Sequence, residues 1–212
     1  MYDYWFTQFD FPDENGKPYR ASGGAMVWCD ELKRSVPKEW KIKKIGDILG
    51  KYPKTTSILR DDYNLGSKYP IIDQSKDYIC GFTDDESRIL KMENAVVYGD
   101  HTNAVKYVDF YFARGADGTQ IINATNDSLP NYLLYLYIQG LPIIDKGYSR
   151  HFKFLKEQYV VIPPHWVSEK YMKIAKTQLL QIRYNIFENY KLTALRDWLL
   201  PMLMNGQATI SD

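Results

Sequence analysis

Apolar and polar positions follow two different rhythms along this chain. Near the C-terminal end, Tyr171, Ala175, Leu179, Ile182, Ile186 and Tyr190 recur at steps of three and four with Lys, Gln, Arg and Asn between them. That is the period of an α-helix with one apolar stripe. It predicts one long helix from Ser168 to Leu200, stopped by Pro201 and Gly206 and about 50 Å long at 1.5 Å per residue. From Ile42 to Pro164 the apolar runs are short, β-branched and cut by Gly, Asn and Asp: Tyr69-Pro-Ile-Ile72, Ala95-Val-Val-Tyr98, Val105-Lys-Tyr-Val108, Gln120-Ile-Ile122 and Tyr159-Val-Val-Ile162. These read as strands. Between them, Ser128 to Gly140 is apolar nearly all round, opens on a capping Ser and closes on Gly, which predicts a buried helix.

The first 40 residues read differently. Aromatics at Tyr2, Tyr4, Trp5, Phe6, Phe9 and Phe11 crowd one stretch before Pro12, as in the tail of a helix, and Asp13-Glu-Asn-Gly-Lys-Pro18 is a turn. A loop-rich connector follows to about Trp40. Strands and helices do not alternate in regular βαβ units, so the fold class expected is α+β, divided into residues 1–40, 41–164 and 165–212.

Composition adds an aromatic surplus, 18 Tyr and 5 Trp in 212 residues. Such rings have an apolar body and a polar tip and often line binding surfaces. The formal charge of +1 neither supports nor excludes nucleic acid, because phosphate binding needs local rather than global positive charge. Cys29 and Cys80 lie far apart without CxxC spacing, no secretory leader is read ahead of them, and no apolar run approaches the roughly 20 residues of a membrane span. The expectation is reduced thiols in a cytoplasmic protein without a membrane segment.

Catalytic motifs are weak throughout. The only Pro-Pro, in Ile162-Pro-Pro-His-Trp166, lacks the Asn/Asp-Pro-Pro-Tyr/Phe signature of an amino-methyltransferase. Gly115-Ala-Asp-Gly-Thr119 lacks the strand, third glycine and helix of a dinucleotide fingerprint and reads as a turn. His101, His151 and His165 show no metal-ligand spacing.

Binding chemistry is better represented. Lys51-Tyr-Pro-Lys-Thr-Thr-Ser57 concentrates cations and hydroxyls, which donate to phosphates and base edges; an ordinary polar loop is the competing reading. Gly99-Asp-His-Thr-Asn103 lies between two strands, where a turn would present its side chains outward. Lys146-Gly-Tyr-Ser-Arg-His-Phe-Lys153 interleaves basic residues with aromatics, a composition suited to DNA backbone and base contacts.

The two end segments carry a family resemblance. Tyr2-Asp-Tyr-Trp-Phe-Thr-Gln-Phe-Asp-Phe-Pro12 with Ser22-Gly-Gly-Ala-Met26, and Leu192-Thr-Ala-Leu-Arg-Asp-Trp-Leu-Leu-Pro-Met-Leu-Met-Asn-Gly-Gln207, resemble the conserved segments of type I restriction-modification specificity subunits. Residues 41–164 look like a target recognition domain of that family. Val96 to Thr102 resembles its glycine-containing strand and turn, and Gly147 to His151 the glycine-rich loop before a closing strand and proline pair.

The resemblance implies a non-catalytic chain that reads one half of a bipartite site in double-stranded DNA, with a long C-terminal helix for dimerisation and coiled-coil packing. One recognition domain, one full helix and a helix stub would make it a half-subunit or a portion of a longer subunit. It implies methyltransferase and restriction subunits as partners, which would carry S-adenosylmethionine, ATP and magnesium, and either a second copy or another half-specificity chain. This chain itself would hold no cofactor and no metal. The DNA-facing candidates are Lys51, Lys54, Arg150 and Lys153 for phosphates, Thr55, Thr56, His101, Thr102, Asn103 and Tyr148 for groove contacts, and Ser149 and His151 beside them. The competing reading from another class is a protein-interaction adaptor that dimerises through the helix and lacks DNA specificity.

Overall fold

The computed structural model describes residues 1–50, 56–64, 68–142 and 150–207. These residues belong to two units, Met1–Ser168 and Glu169–Asp212. In the first unit the strands are β1 (Met26–Cys29), β2 (Arg34–Pro37), β3 (Lys41–Lys44), β4 (Tyr69–Ile72), β5 (Gly81–Thr83), β6 (Ile89–Leu90), β7 (Ala95–Gly99), β8 (Val105–Val108), β9 (Phe112–Arg114), β10 (Thr119–Ile122) and β11 (Tyr159–Ile162). The helices are α1 (Ile45–Ile48), α2 (Asn131–Gln139), α3 (His151–Glu157) and the start of α4 (His165–Met204). The mixture bears out the α+β expectation, and all five predicted strands are present.

The strand β7 explains the core. All five of its residues are buried, and it runs between β10 and β8, antiparallel to both. A strand covered on both faces carries a continuous apolar run rather than an alternating one, which is what Ala95-Val-Val-Tyr supplies. The helix α2 packs on β7 and β8, setting the tilted rings of Tyr132 and Tyr135 against Tyr107 at centroid distances of 5.0 and 5.9 Å. A second sheet runs β5-β4-β9-β6, with β4 and β9 parallel. Two further pairs, β1 with β2 and β11 with β3, complete the strands.

The opening aromatics form a nest around Trp40. Phe6, Phe9 and Phe11 lie 5.8, 5.2 and 5.2 Å from its ring, and Trp166 lies 5.9 Å from Phe11. Phe9 and Phe11 are fully buried, each a burial that favours folding by about 1.5–3 kcal/mol. The helical stub expected before Pro12 is a single π-helical turn, Asp3–Thr7.

Several expectations are corrected. The connector before Trp40 contains the β1–β2 hairpin. Ser128 does not cap α2: the helix begins at Asn131 without a side-chain cap, and the Ser128 carbonyl instead accepts the Ser168 hydroxyl at 2.6 Å. The long helix begins at His165, directly after the proline pair, and continues through Pro201 to Met204. Pro201 lacks the N–H that would bond the Asp197 carbonyl, but both residues are exposed, so water can satisfy that carbonyl. The chain leaves the helix where Gly206 adopts φ +68° and Gln207 N–H donates to the Met202 carbonyl at 2.8 Å, a helix-end motif that favours glycine. In the second unit α4 exposes Ile182, Leu192, Leu195, Trp198 and Leu200. No helix of the described residues is long and apolar enough to cross a membrane.

Candidate nucleic-acid interface

Strands β7 and β8 pair from Ala95 with Val108 to Tyr98 with Val105, so the chain reverses within residues 99–104. Asn103 N–H donates to the Gly99 carbonyl at 3.0 Å and Gly99 N–H to the Ala104 carbonyl at 2.8 Å. Asn103 takes φ +56°, a conformation Asn tolerates better than most residues. Its Oδ1 accepts the Tyr98 hydroxyl at 2.6 Å, and burial pushes that phenol up to about 12, keeping it a proton donor. Thr102 turns its hydroxyl inward, donating to the Gln74 carbonyl at 2.6 Å and accepting from Ala104 N–H at 3.2 Å. His101 is left exposed at the tip.

Asp100 ties this turn to two others. It is 5% exposed. Its N–H donates to the Gly118 carbonyl at 2.8 Å and its carbonyl accepts His151 N–H at 2.9 Å. Its Oδ1 accepts Phe152 N–H at 2.9 Å. Two of the otherwise unpaired N–H groups at the start of α3 are thus satisfied from outside the helix, where a carboxylate also complements the positive helix end.

Gln74 ties the turn to the segment after β4. Its Oε1 accepts His101 N–H at 3.2 Å and its Nε2 donates to the Asp117 carbonyl at 2.8 Å. The Ser57 hydroxyl donates to Asp117 Oδ1 at 3.3 Å, and Ile58 N–H to the Arg114 carbonyl at 2.9 Å, which brings in the stretch beginning at Thr56. Gly118, at φ +85°, lies so close that an added Cβ would meet Gln74 Nε2 and His101 Cδ2 at 2.8 Å each.

Beneath this surface Lys106 is buried. Its ammonium donates to the carbonyls of Asp73, at 2.8 Å, and Asp77, and lies 3.8 Å from Asp73 Oδ1. Burial lowers the Lys106 pKa against the opposing pull of Asp73. For Asp73, burial raises the pKa, but hydrogen bonds from Ser75 and the Lys106 charge outweigh it and hold the carboxyl below its ordinary value. The segment 73–77 is therefore fixed by a buried cation.

The described candidates divide by exposure. Thr56, His101, Thr102, Arg150 and Lys153 are exposed, Asn103 is half-buried and His151 is buried. The His151 side chain lines a cavity of about 230 Å³ with Tyr98, Asn103, Phe154 and Leu155, and its Nδ1 meets no hydrogen-bond partner among the described residues. Residues 151–153, expected as loop, are the first residues of α3, and Arg150 is the extended residue just before it. Lys51, Lys54, Thr55, Tyr148 and Ser149 lie outside the described residues. Sequence reasoning missed Gln74, Ser57, Asp100 and Asp117 as organisers. The available signal was the polar run Asp73-Gln-Ser-Lys-Asp77 breaking off an apolar strand, together with the Asp117-Gly118 turn. Among the described residues, no three His, Cys, Asp or Glu side chains gather as metal ligands.

No protein-family model matches the chain. A type I restriction enzyme MjaIX specificity subunit from Methanocaldococcus jannaschii is 23% identical over an alignment of 235 positions, covering 100% of this chain and 52% of the relative. The EcoR124I/EcoR124II specificity subunit of Escherichia coli is 28% identical over 123 residues, 55% of this chain and 30% of the relative. The chain thus spans about half the length of the first of these relatives and less of the second. A crystal structure of a type I restriction-modification S subunit from M. genitalium shares the fold with TM-score 0.50 at 16% identity, over 77% of this chain and 45% of that one. Curated relatives and a solved fold thus agree with the resemblance carried by the two end segments: along its whole length this chain is similar to about half of a type I restriction-modification specificity subunit.

Proposed function

We propose that this chain recognises DNA sequence for a type I restriction-modification complex, with residues 41–164 reading one half of a bipartite site. The observation that carries the proposal is the convergence of separate candidate segments. Thr56 and Ser57, the 99–103 turn and the start of α3 are far apart in sequence, yet hydrogen bonds through Asp117, Gln74 and Asp100 hold them in one cluster. Arg150 and Lys153 would position the duplex through phosphates, with Lys51 and Lys54 in the same role, while His101 and Thr56 reach toward base edges. Methylation and cleavage belong to partner subunits, which bring S-adenosylmethionine, ATP and magnesium. The helix α4 pairs with a second copy of the chain and docks the methyltransferase subunits.

Selection from a randomised duplex pool, with the chain co-expressed with its neighbouring methyltransferase subunit, tests the proposal. An enriched interrupted motif, relaxed by Arg150→Ala or His101→Ala, is the expected outcome. A stable complex that enriches no motif rules out the recognition role.

A further inference from the structure

We infer that Gln74 is a positioning residue of the recognition surface: its single carboxamide couples the His101 turn to the Asp117 turn and fixes how the two present themselves. The inference rests on the DNA-recognition reading above. Three bonds run from this one residue, from His101 N–H at 3.2 Å to Oε1, from Nε2 to the Asp117 carbonyl at 2.8 Å, and from the Thr102 hydroxyl to its main-chain carbonyl at 2.6 Å. The two side-chain bonds need an acceptor and a donor on one planar group at the reach of a glutamine. Glutamate would turn an oxygen toward the Asp117 carbonyl, leucine would offer neither function, and asparagine is one methylene short.

The surroundings are shaped for this side chain. Added Cβ atoms at Gly99 and Gly118 would come within 2.9 Å of Gln74 Cβ and 2.8 Å of its Nε2, so both turns approach closely only because they carry glycine there. The anchor is itself fixed, because Lys106 grips the Asp73 and Asp77 carbonyls on either side and Asp73 accepts from Ser75 N–H at 2.8 Å. On the far side, the Tyr63 hydroxyl accepts Ala116 N–H at 3.1 Å. Gln74 thus links an immobilised segment to two turns whose tips, His101 and Asp117, are exposed. It is half-buried beneath those tips and acts through them rather than by direct contact with DNA.

The test uses the complex with the neighbouring methyltransferase subunit and compares wild type with Gln74→Leu and the near-isosteric Gln74→Glu. Two quantities are read: affinity for the selected target relative to random duplex, and the salt dependence of random-duplex binding. Each hydrogen bond is worth roughly a factor of ten or less, so both variants are expected to lose about tenfold in the target-to-random ratio. Random-duplex affinity and salt slope should stay unchanged in Gln74→Leu, because the phosphate contacts are made elsewhere; the negative charge added by Gln74→Glu weakens target and random binding alike and cancels in their ratio. If Gln74→Leu yields no folded chain, Gln74→Glu reads the Asp117 arm alone through that ratio. A wild-type motif with an unchanged ratio in the variants overturns the inference and leaves the recognition reading standing, and equal loss of target and random binding in Gln74→Leu overturns it in favour of a general scaffold role. A wild-type complex that selects no motif overturns the reading itself, and the inference with it.

Discussion

Lys106 and Asp73 bury opposite charges, their side chains 6% and 4% exposed, under a surface built of polar turns. Removing one partner of such a pair leaves the other charged and unmatched, which costs about 3–5 kcal/mol. Lys106→Met is therefore expected to destabilise the first unit by about 3 kcal/mol, measured as a urea midpoint at pH 7; a change below about 0.5 kcal/mol, the range of ordinary surface substitutions, would contradict the pairing. Protonation probes the same site from the other side. Since the folded state lowers the Asp73 pKa, the unfolded chain binds more protons there under acid conditions. The stability contributed is fully present above the ordinary carboxylate value of about 4 and is lost as pH falls through the lower folded value. Denaturation midpoints between pH 6 and pH 3 should fall less steeply in Asp73→Asn than in wild type.

The helix α3 has no cap of its own, since Arg150 makes no capping bond through its side chain, and Asp100, some fifty residues earlier, supplies the acceptor. Asp100→Ala should cost about 1–2 kcal/mol, in the range of lost caps. Asp100→Asn keeps an oxygen acceptor and should recover most of that, which chemical denaturation of the pair would decide. No local pattern announces a cap that arrives from so far away, and for that reason residues 146–153 read as one basic loop. Elements were legible where their own residues dictate them: the runs at 69–72, 95–98, 105–108, 120–122 and 159–162 are β-branched and bounded by breakers. The β1–β2 hairpin stayed hidden because Val27 and Trp28 are 47% and 58% exposed, so no alternation of buried and exposed positions marks it. Nor did β3 declare itself, reading Lys-Ile-Lys-Lys, because its partner β11 supplies the apolar side. The candidate site was half legible on the same grounds. Exposed His101 and Arg150 announce themselves by chemistry, while Gln74 acquires its role only once three distant segments meet.

At the scale of the whole chain, α4 extends about 60 Å at 1.5 Å per residue over its 40 residues. Leu192, Leu195, Trp198 and Leu200 are each about half exposed or more, a large apolar display that the proposed self-pairing would cover. Sedimentation should reveal reversible association, and Leu195→Glu with Trp198→Glu should shift it to a single chain; a monomer at all concentrations without the substitutions would refute self-pairing. The shared bonds of the first unit bear on how such a protein can change. Because Gln74, Asp100 and Asp117 each serve more than one turn, the turns cannot be exchanged piecemeal: a new sequence at 99–103 grafted onto the old 73–77 and 116–118 inherits donors and acceptors that no longer match. Under the proposed recognition role, a change of specificity would have to alter these turns together or by paired substitutions, and single-loop transplants are expected to lose discrimination, read as the target-to-random binding ratio.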